Sequence, residues 1–248
     1  MRSHLLGLAI ALGCLAFACE EKKDATTSAT PSASSAAPPP TALPPPPVAK
    51  PPLMSVDEAQ CYVGGDKVDV GAADAKARVA GVLATKSKVE GEVLELHAAR
   101  ASKLGRVTAL VAAAKTAKAK GLRVITPGRD GAEREVEVTF AALGACSAVA
   151  SIGKDSSINV WPASGGTAQR FTKGMAGPDM TRGVEGVQKQ ASSCESTAWA
   201  VGAEPELQWG LLFDLASGAM GAFDGGKAMR ATQLVVLTEP PVAGRKAE

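Results

Sequence analysis

The chain opens on a charge-free apolar run, Leu5 to Ala18, placed behind the single basic residue Arg2. At Cys19 the pattern turns polar: Glu20-Glu21-Lys22-Lys23-Asp24, then a Pro/Ala/Ser/Thr tract that lasts to Pro52. Beyond Pro52 two periods are visible. Leu104, Val107, Leu110, Val111 and Ala114 recur at helical spacing, with Lys103, Arg106, Lys115, Lys118 and Lys120 off the stripe. Ser102 stands where an N-cap is expected and Gly121 where the helix should stop. Val136, Val138 and Phe140 alternate with Glu135, Glu137 and Thr139, the period-two pattern of a half-solvated strand.

The same order of elements is predicted twice. At an offset of 105 residues Val79, Gly81 and Val82 fall on Val184, Gly186 and Val187, Gly105 and Leu110 on Gly210 and Leu215, and Gly121 on Gly226. Each unit should open with a hairpin. Val63 to Val70 turns about Gly64-Gly65-Asp66, and Ile152 to Val160 about Gly153-Lys154-Asp155, glycine permitting the positive φ. A helix capped by Asp74 or Asp179 follows. Next come a strand (Val93 to Leu96, Ala198 to Val201), the main helix (the stripe above, or Trp209, Leu212, Phe213, Ala216 and Met220) and a closing strand (Leu122 to Thr126, Leu234 to Thr238). The expected fold class is therefore α/β (α+β), in two similar small units over residues 53–130 and 131–248.

The amino-terminal part carries its own reading. Residues 1–18 have the form of a secretory signal, with Ala16-Phe17-Ala18 as the small-residue cleavage site. The apolar run of 14 residues is short of the roughly 20 that span a bilayer. Ten of the 16 prolines lie between Pro31 and Pro52. Proline fixes φ and donates no backbone hydrogen bond, so residues 19–52 are read as a disordered spacer with a reach of up to roughly 100 Å. A cysteine at the end of such a run, followed by a polar tether, resembles a bacterial lipoprotein. That resemblance implies an acylated Cys19 and a domain working in the cell envelope, on the periplasmic or outer side of a membrane. Cys14, behind Ala11-Leu12-Gly13, is the competing position; Cys19 leaves the longer apolar core and is followed at once by charge. Plain cleavage after Ala18 and a retained anchor are the alternatives.

Composition narrows the chemistry. With Arg2 removed, 26 basic residues face 25 acidic ones, so no basic excess points to nucleic acid. Cys61, Cys146 and Cys194 remain, and in an oxidising compartment Cys146 and Cys194 are the expected pair. With His97 the sole histidine behind the signal and no CxxC spacing, no metal site and no cofactor are expected. An enzyme would have to use His97 with a cysteine as base and nucleophile. Lys115, Lys118 and Lys120 form a candidate face for an anionic partner.

Leu94-Glu95-Leu96-His97-Ala98, Lys103-Leu104-Gly105-Arg106-Val107, Ala112-Ala113-Ala114-Lys115 and Gly121-Leu122-Arg123-Val124-Ile125-Thr126 together resemble the periplasmic domain of the ExbD/TolR biopolymer-transport family. The second unit repeats the pattern more loosely through Trp209-Gly210 and Leu234 to Thr238. The resemblance implies the fold and a role in envelope interactions. Members of that family carry an amino-terminal membrane helix with a functional aspartate; here no acidic residue precedes Glu20, so proton-coupled work is not implied. The expected function is a non-enzymatic, membrane-anchored binding module for protein partners or peptidoglycan. A Cys/His envelope enzyme and an electrostatic cell-wall binder are the alternatives.

Overall fold

The computed structural model describes residues 53–71, 74–86, 88–221 and 231–247. The apolar run, Cys19 and the proline tract lie outside them, as does Gly226. In chain order the elements are β1 (Met54–Val56), β2 (Cys61–Val63), β3 (Asp66–Val68), α1 (Ala75–Lys86), β4 (Val93–Ala98), α2 (Leu104–Thr116), β5 (Gly121–Pro127) and β6 (Glu133–Thr139). They continue with β7 (Ala148–Ile152), β8 (Ile158–Pro162), β9 (Gln169–Phe171), α3 (Met180–Ser192), β10 (Ala198–Ala203), α4 (Trp209–Ala219) and β11 (Gln233–Val236). The fold class is α/β, with all described strands in one mixed sheet of order β3-β2-β1-β4-β5-β6-β11-β10-β7-β8-β9.

That order contains the repeat. The first half reads β3-β2-β1-β4-β5 from its edge inward and the second reads β9-β8-β7-β10-β11, with parallel and antiparallel neighbours in the same places. β6 lies between the halves. It opens the second unit in chain order, yet it is laddered to β5 over seven residue pairs and to β11 through one, Leu234↔Val138.

Strand alternation sends one set of side chains to each face. Leu94, Leu122, Val138, Leu234 and Trp199 are aligned across five strands and join the main core beneath all four helices. The helix stripes supply the other wall: Leu104, Val107, Leu110, Val111 and Ala114 from α2, and Trp209, Leu212, Phe213 and Ala216 from α4, are all buried.

Several local expectations need correction. The turn at Gly64-Gly65 joins β2 to β3, both glycines having positive φ. The turn after Ile152 joins β7 to β8, and its topological counterpart is the β1–β2 turn at Asp57. There the Asp57 carboxylate accepts the N–H groups of Ala59 and Gln60 at 2.7 and 2.6 Å. Asp179 caps α3 by accepting the Arg182 N–H at 3.2 Å, whereas the Asp74 carboxylate pairs with the Arg78 side chain at 3.1 Å. Ser102 does not cap α2, because its hydroxyl donates backward to the Ala99 carbonyl. Gly121 does not stop that helix, which ends at Thr116. It is the first residue of β5, where an added Cβ would stand 2.7 Å from the Val138 carbonyl oxygen.

The N-termini of α2 and α4 are instead satisfied by each other's connections. Leu104 and Gly105 donate N–H bonds to the carbonyls of Leu207 and Pro205, and Trp209 and Gly210 donate to those of Ser102 and Arg100, at 2.8–2.9 Å. Each donor lies 105 residues from its counterpart donor and each acceptor 105 residues from its counterpart acceptor, so the contact is symmetric about a pseudo-two-fold axis. Lys103 and Gln208 form an antiparallel bridge at its centre. The matched glycines follow from this: a Cβ on Gly105 would meet Pro205 at 3.0 Å, and one on Gly210 would meet Arg100 at 3.0 Å.

Candidate functional site

The two halves differ on the face away from the helices. In the second half that face is covered. Val149, Trp161, Ala163, Ala200 and Leu237 form a second buried cluster against Leu143, Ala168 and Ala247. The Trp161 indole donates to the Arg245 carbonyl at 2.8 Å, and Ala247 donates to the Ala163 carbonyl at 2.9 Å, fixing the C-terminal tail across the strands. Cys146 and Cys194 are joined by a disulfide with Cα atoms 5.4 Å apart, which ties the segment before β7 to the end of α3.

On the first half the described residues leave the same face open. Tyr62, Ser55, His97, Ile125 and Glu135 are aligned across β2, β1, β4, β5 and β6, with Glu95, Arg123 and Glu137 in the neighbouring row. A hollow of about 290 Å³ lies among Ser55, Tyr62, His97, Ile125, Pro127 and Glu133. Glu95 accepts from Arg123 at 2.6 Å and is bonded to His97 Nε2 at 2.7 Å. These partners, His97 first and then Arg123, hold the Glu95 carboxyl below its usual range. Glu133, Glu135 and Glu137 extend the row along β6, so with Glu95 this face carries four carboxylates against Arg123 and Lys67, the latter laddered to Tyr62.

The structure separates the remaining candidates. Cys61 is laddered to Val56 on the helix side, and His97 is laddered to Ser55 on the open side; a Cys61–His97 pair is not assembled. Burial pushes the Cys61 thiol up to about 11, so it is protonated at neutral pH. Of the three lysines, Lys118 pairs with Glu90 at 3.4 Å. Lys115 lines a different hollow beside Phe140. All three tryptophans are buried. Among the described residues no group of three or more His, Cys, Asp or Glu is placed to hold a metal ion, and no helix is long and apolar enough to cross a membrane.

One charged cluster escaped the sequence reading. Asp214, on α4 and nearly buried, accepts two bonds from Arg100 at 2.8 and 2.7 Å and one from Arg129 at 2.8 Å. The carboxylate raises the Arg100 guanidinium further above its ordinary value. Ala109 occupies the matching place on α2, so the cluster breaks the pseudo-symmetry and ties α4 to the connections after β4 and β5. The only signal available was a lone charge inside the apolar stretch Leu211 to Ala216. Asp214→Ala is expected to cost about 2–3 kcal/mol, below the range for a fully buried pair because both arginines reach solvent. The midpoint of urea unfolding measures it.

Comparison with protein-family models, curated proteins and solved structures gives no match.

Proposed function

We propose that this chain is a non-enzymatic, lipid-anchored protein of the bacterial envelope that binds a protein partner through the open face of its first half. The signal and Cys19 read from the sequence support the anchoring. The observation that carries the binding role is the asymmetry of a symmetric sheet: equivalent strands are sealed by the tail in one half and left uncovered by the described residues, with an acidic surplus, in the other. Such a face suits a partner with a cationic surface, because charge complementarity steers association and sets register.

Photo-reactive residues placed at Ile125 and, as a control, at exposed Lys189 on α3 test this in native cells. Defined cross-linked species from Ile125 alone are expected, weakened by added salt and by Glu135→Lys with Glu137→Lys. The same species from both positions, or species indifferent to the charge reversal, would sink the reading.

A further inference from the structure

We propose that the hollow on the open face is an arginine pocket: it takes one arginine side chain of the partner, stacked against Tyr62 and paired with Asp57. The inference rests on the reading of that face as a binding surface, and it names the residue type that anchors there. The hollow lies at one end of the face. It is bounded by Tyr62 of β2, the carboxyl ends of β1, β4 and β5, and the start of β6. Chain direction places these together: β1, β4 and β5 run parallel, and β2 and β6 run back beside them.

A small residue opens the space. Ala99 carries the β4–β1 ladder one step further, its N–H donating to the Val56 carbonyl at 2.9 Å, and its methyl leaves room that a longer side chain would take. The volume, about 290 Å³, is at the lower end of the roughly 300–1,000 Å³ of ligand pockets. That suits one long side chain rather than a whole cofactor. Asp57 and Glu133 are its carboxylates, on opposite sides, and among the described residues no lysine or arginine lines it. Arg100 touches the Pro127 carbonyl at 3.4 Å, but its guanidinium is committed to both oxygens of Asp214. Arg123 is committed to Glu95.

The Asp57 carboxylate is preorganised. Its Oδ1 accepts the N–H groups of Ala59 and Gln60, and these bonds, ahead of a smaller contribution from Tyr62, hold its carboxyl below the usual range. A carboxylate has about four acceptor positions, so Asp57 keeps capacity for a ligand. Beside it the Tyr62 ring supplies an aromatic wall. A guanidinium is planar and weakly hydrated, so it can stack on that ring while its edge donates to the carboxylate. A lysine ammonium is a compact, strongly hydrated charge that gains less from an aromatic wall. Glu133, across the hollow, adds to the field that draws the cation in.

The test uses the whole chain and an end-blocked Gly-Ser-Arg-Ser-Gly peptide, with lysine and citrulline versions; citrulline keeps the shape and lacks the charge. Tyr62 is the sole tyrosine, so its ring signals in NMR report on this hollow. The arginine peptide should bind about tenfold tighter than citrulline and about threefold tighter than lysine. Asp57→Asn, which keeps an acceptor oxygen for the turn, should bring arginine down to the citrulline level. Tyr62→Leu, followed through the peptide's own signals, should erase the preference for arginine over lysine. The urea midpoint of each variant checks the fold. Glu137→Gln, about 13 Å past Glu133 along β6 and so beyond the screening length of about 8 Å, should leave all three affinities unchanged. Arginine and citrulline bound alike, lysine bound as well as arginine, equal losses from Asp57→Asn and Glu137→Gln, or no shift at Tyr62 overturns the proposal. If Ile125 still gives defined, charge-dependent cross-links beside such a result, the face binds its partner through another anchor; if those are lost too, the binding surface itself falls.

Discussion

Trp209→Ala is expected to lower the unfolding free energy by about 3–5 kcal/mol. The side chain has no exposure, and its ring packs at 54° to Phe213 with centroids 5.9 Å apart. Its indole N–H donates at 2.8 Å to the hydroxyl of Thr126, which is itself fully buried. Truncation therefore leaves a cavity and strands a buried hydroxyl, two costs that add. The position matters as much as the volume. Trp209 begins α4 at the pseudo-two-fold axis, where its backbone N–H is bonded to Ser102 of the other half. Urea unfolding should show a lower midpoint with one unchanged transition. Trp209→Phe, which keeps most of the apolar volume and loses the indole N–H, should cost roughly half as much. A loss below about 1 kcal/mol for the alanine variant would show that this junction is not a principal source of stability.

Removal of the Cys146–Cys194 bond, by reduction or by serine at both positions, should cost about 4 kcal/mol. The sequence separation is 48 residues, and chain entropy for a loop of that size gives this magnitude. The closed loop contains β7, β8, β9 and α3, the whole outer part of the second half. Unfolding with and without reductant measures the effect, and the serine variant should match the reduced protein. If reductant leaves the midpoint in place, either the bond does not form or the unfolded chain is already constrained.

Much of the fold was legible in the sequence because long elements carry their period over enough residues to be read. The α2 and α4 stripes, the alternation through Val136 and Val138 and the run of helix, strand, helix and strand in both units appear in the structure, although three strands rather than a two-stranded hairpin precede that run in each. What could not be read was settled by partners distant in the chain. β1 and β9 have three residues each, too few for any periodicity, and are strands because β4 and β8 lie beside them. The two glycine-bearing turns look alike locally, and only strand pairing shows that they join different members of the repeat. Gly121 and Ser102 were read as helix punctuation, although the neighbouring Val138 carbonyl and Ala99 carbonyl decide their roles. The open face was half legible: alternation marks Glu95, His97 and Arg123 as leaving the helix side, but nothing in the local pattern says that the tail near Arg245 covers one half and not the other. The lysines between Lys115 and Lys120 formed a single group in sequence, and the end of α2 divides them, Lys118 turning to Glu90 while Lys115 lines the hollow beside Phe140.

Tension on the chain ahead of Leu53 would enter the sheet through β1, and β1 is an interior strand, with three-pair ladders to β2 on one side and to β4 on the other. A load applied there cannot peel an edge. It must break both ladders together and draw Met54 and Val56, which are almost wholly buried, out from beneath the helices. The outermost strands β3 and β9 carry none of that force directly. Under the proposed anchoring at Cys19, the body would resist a pull on its amino-terminal side more strongly than the shortness of its first strand would suggest.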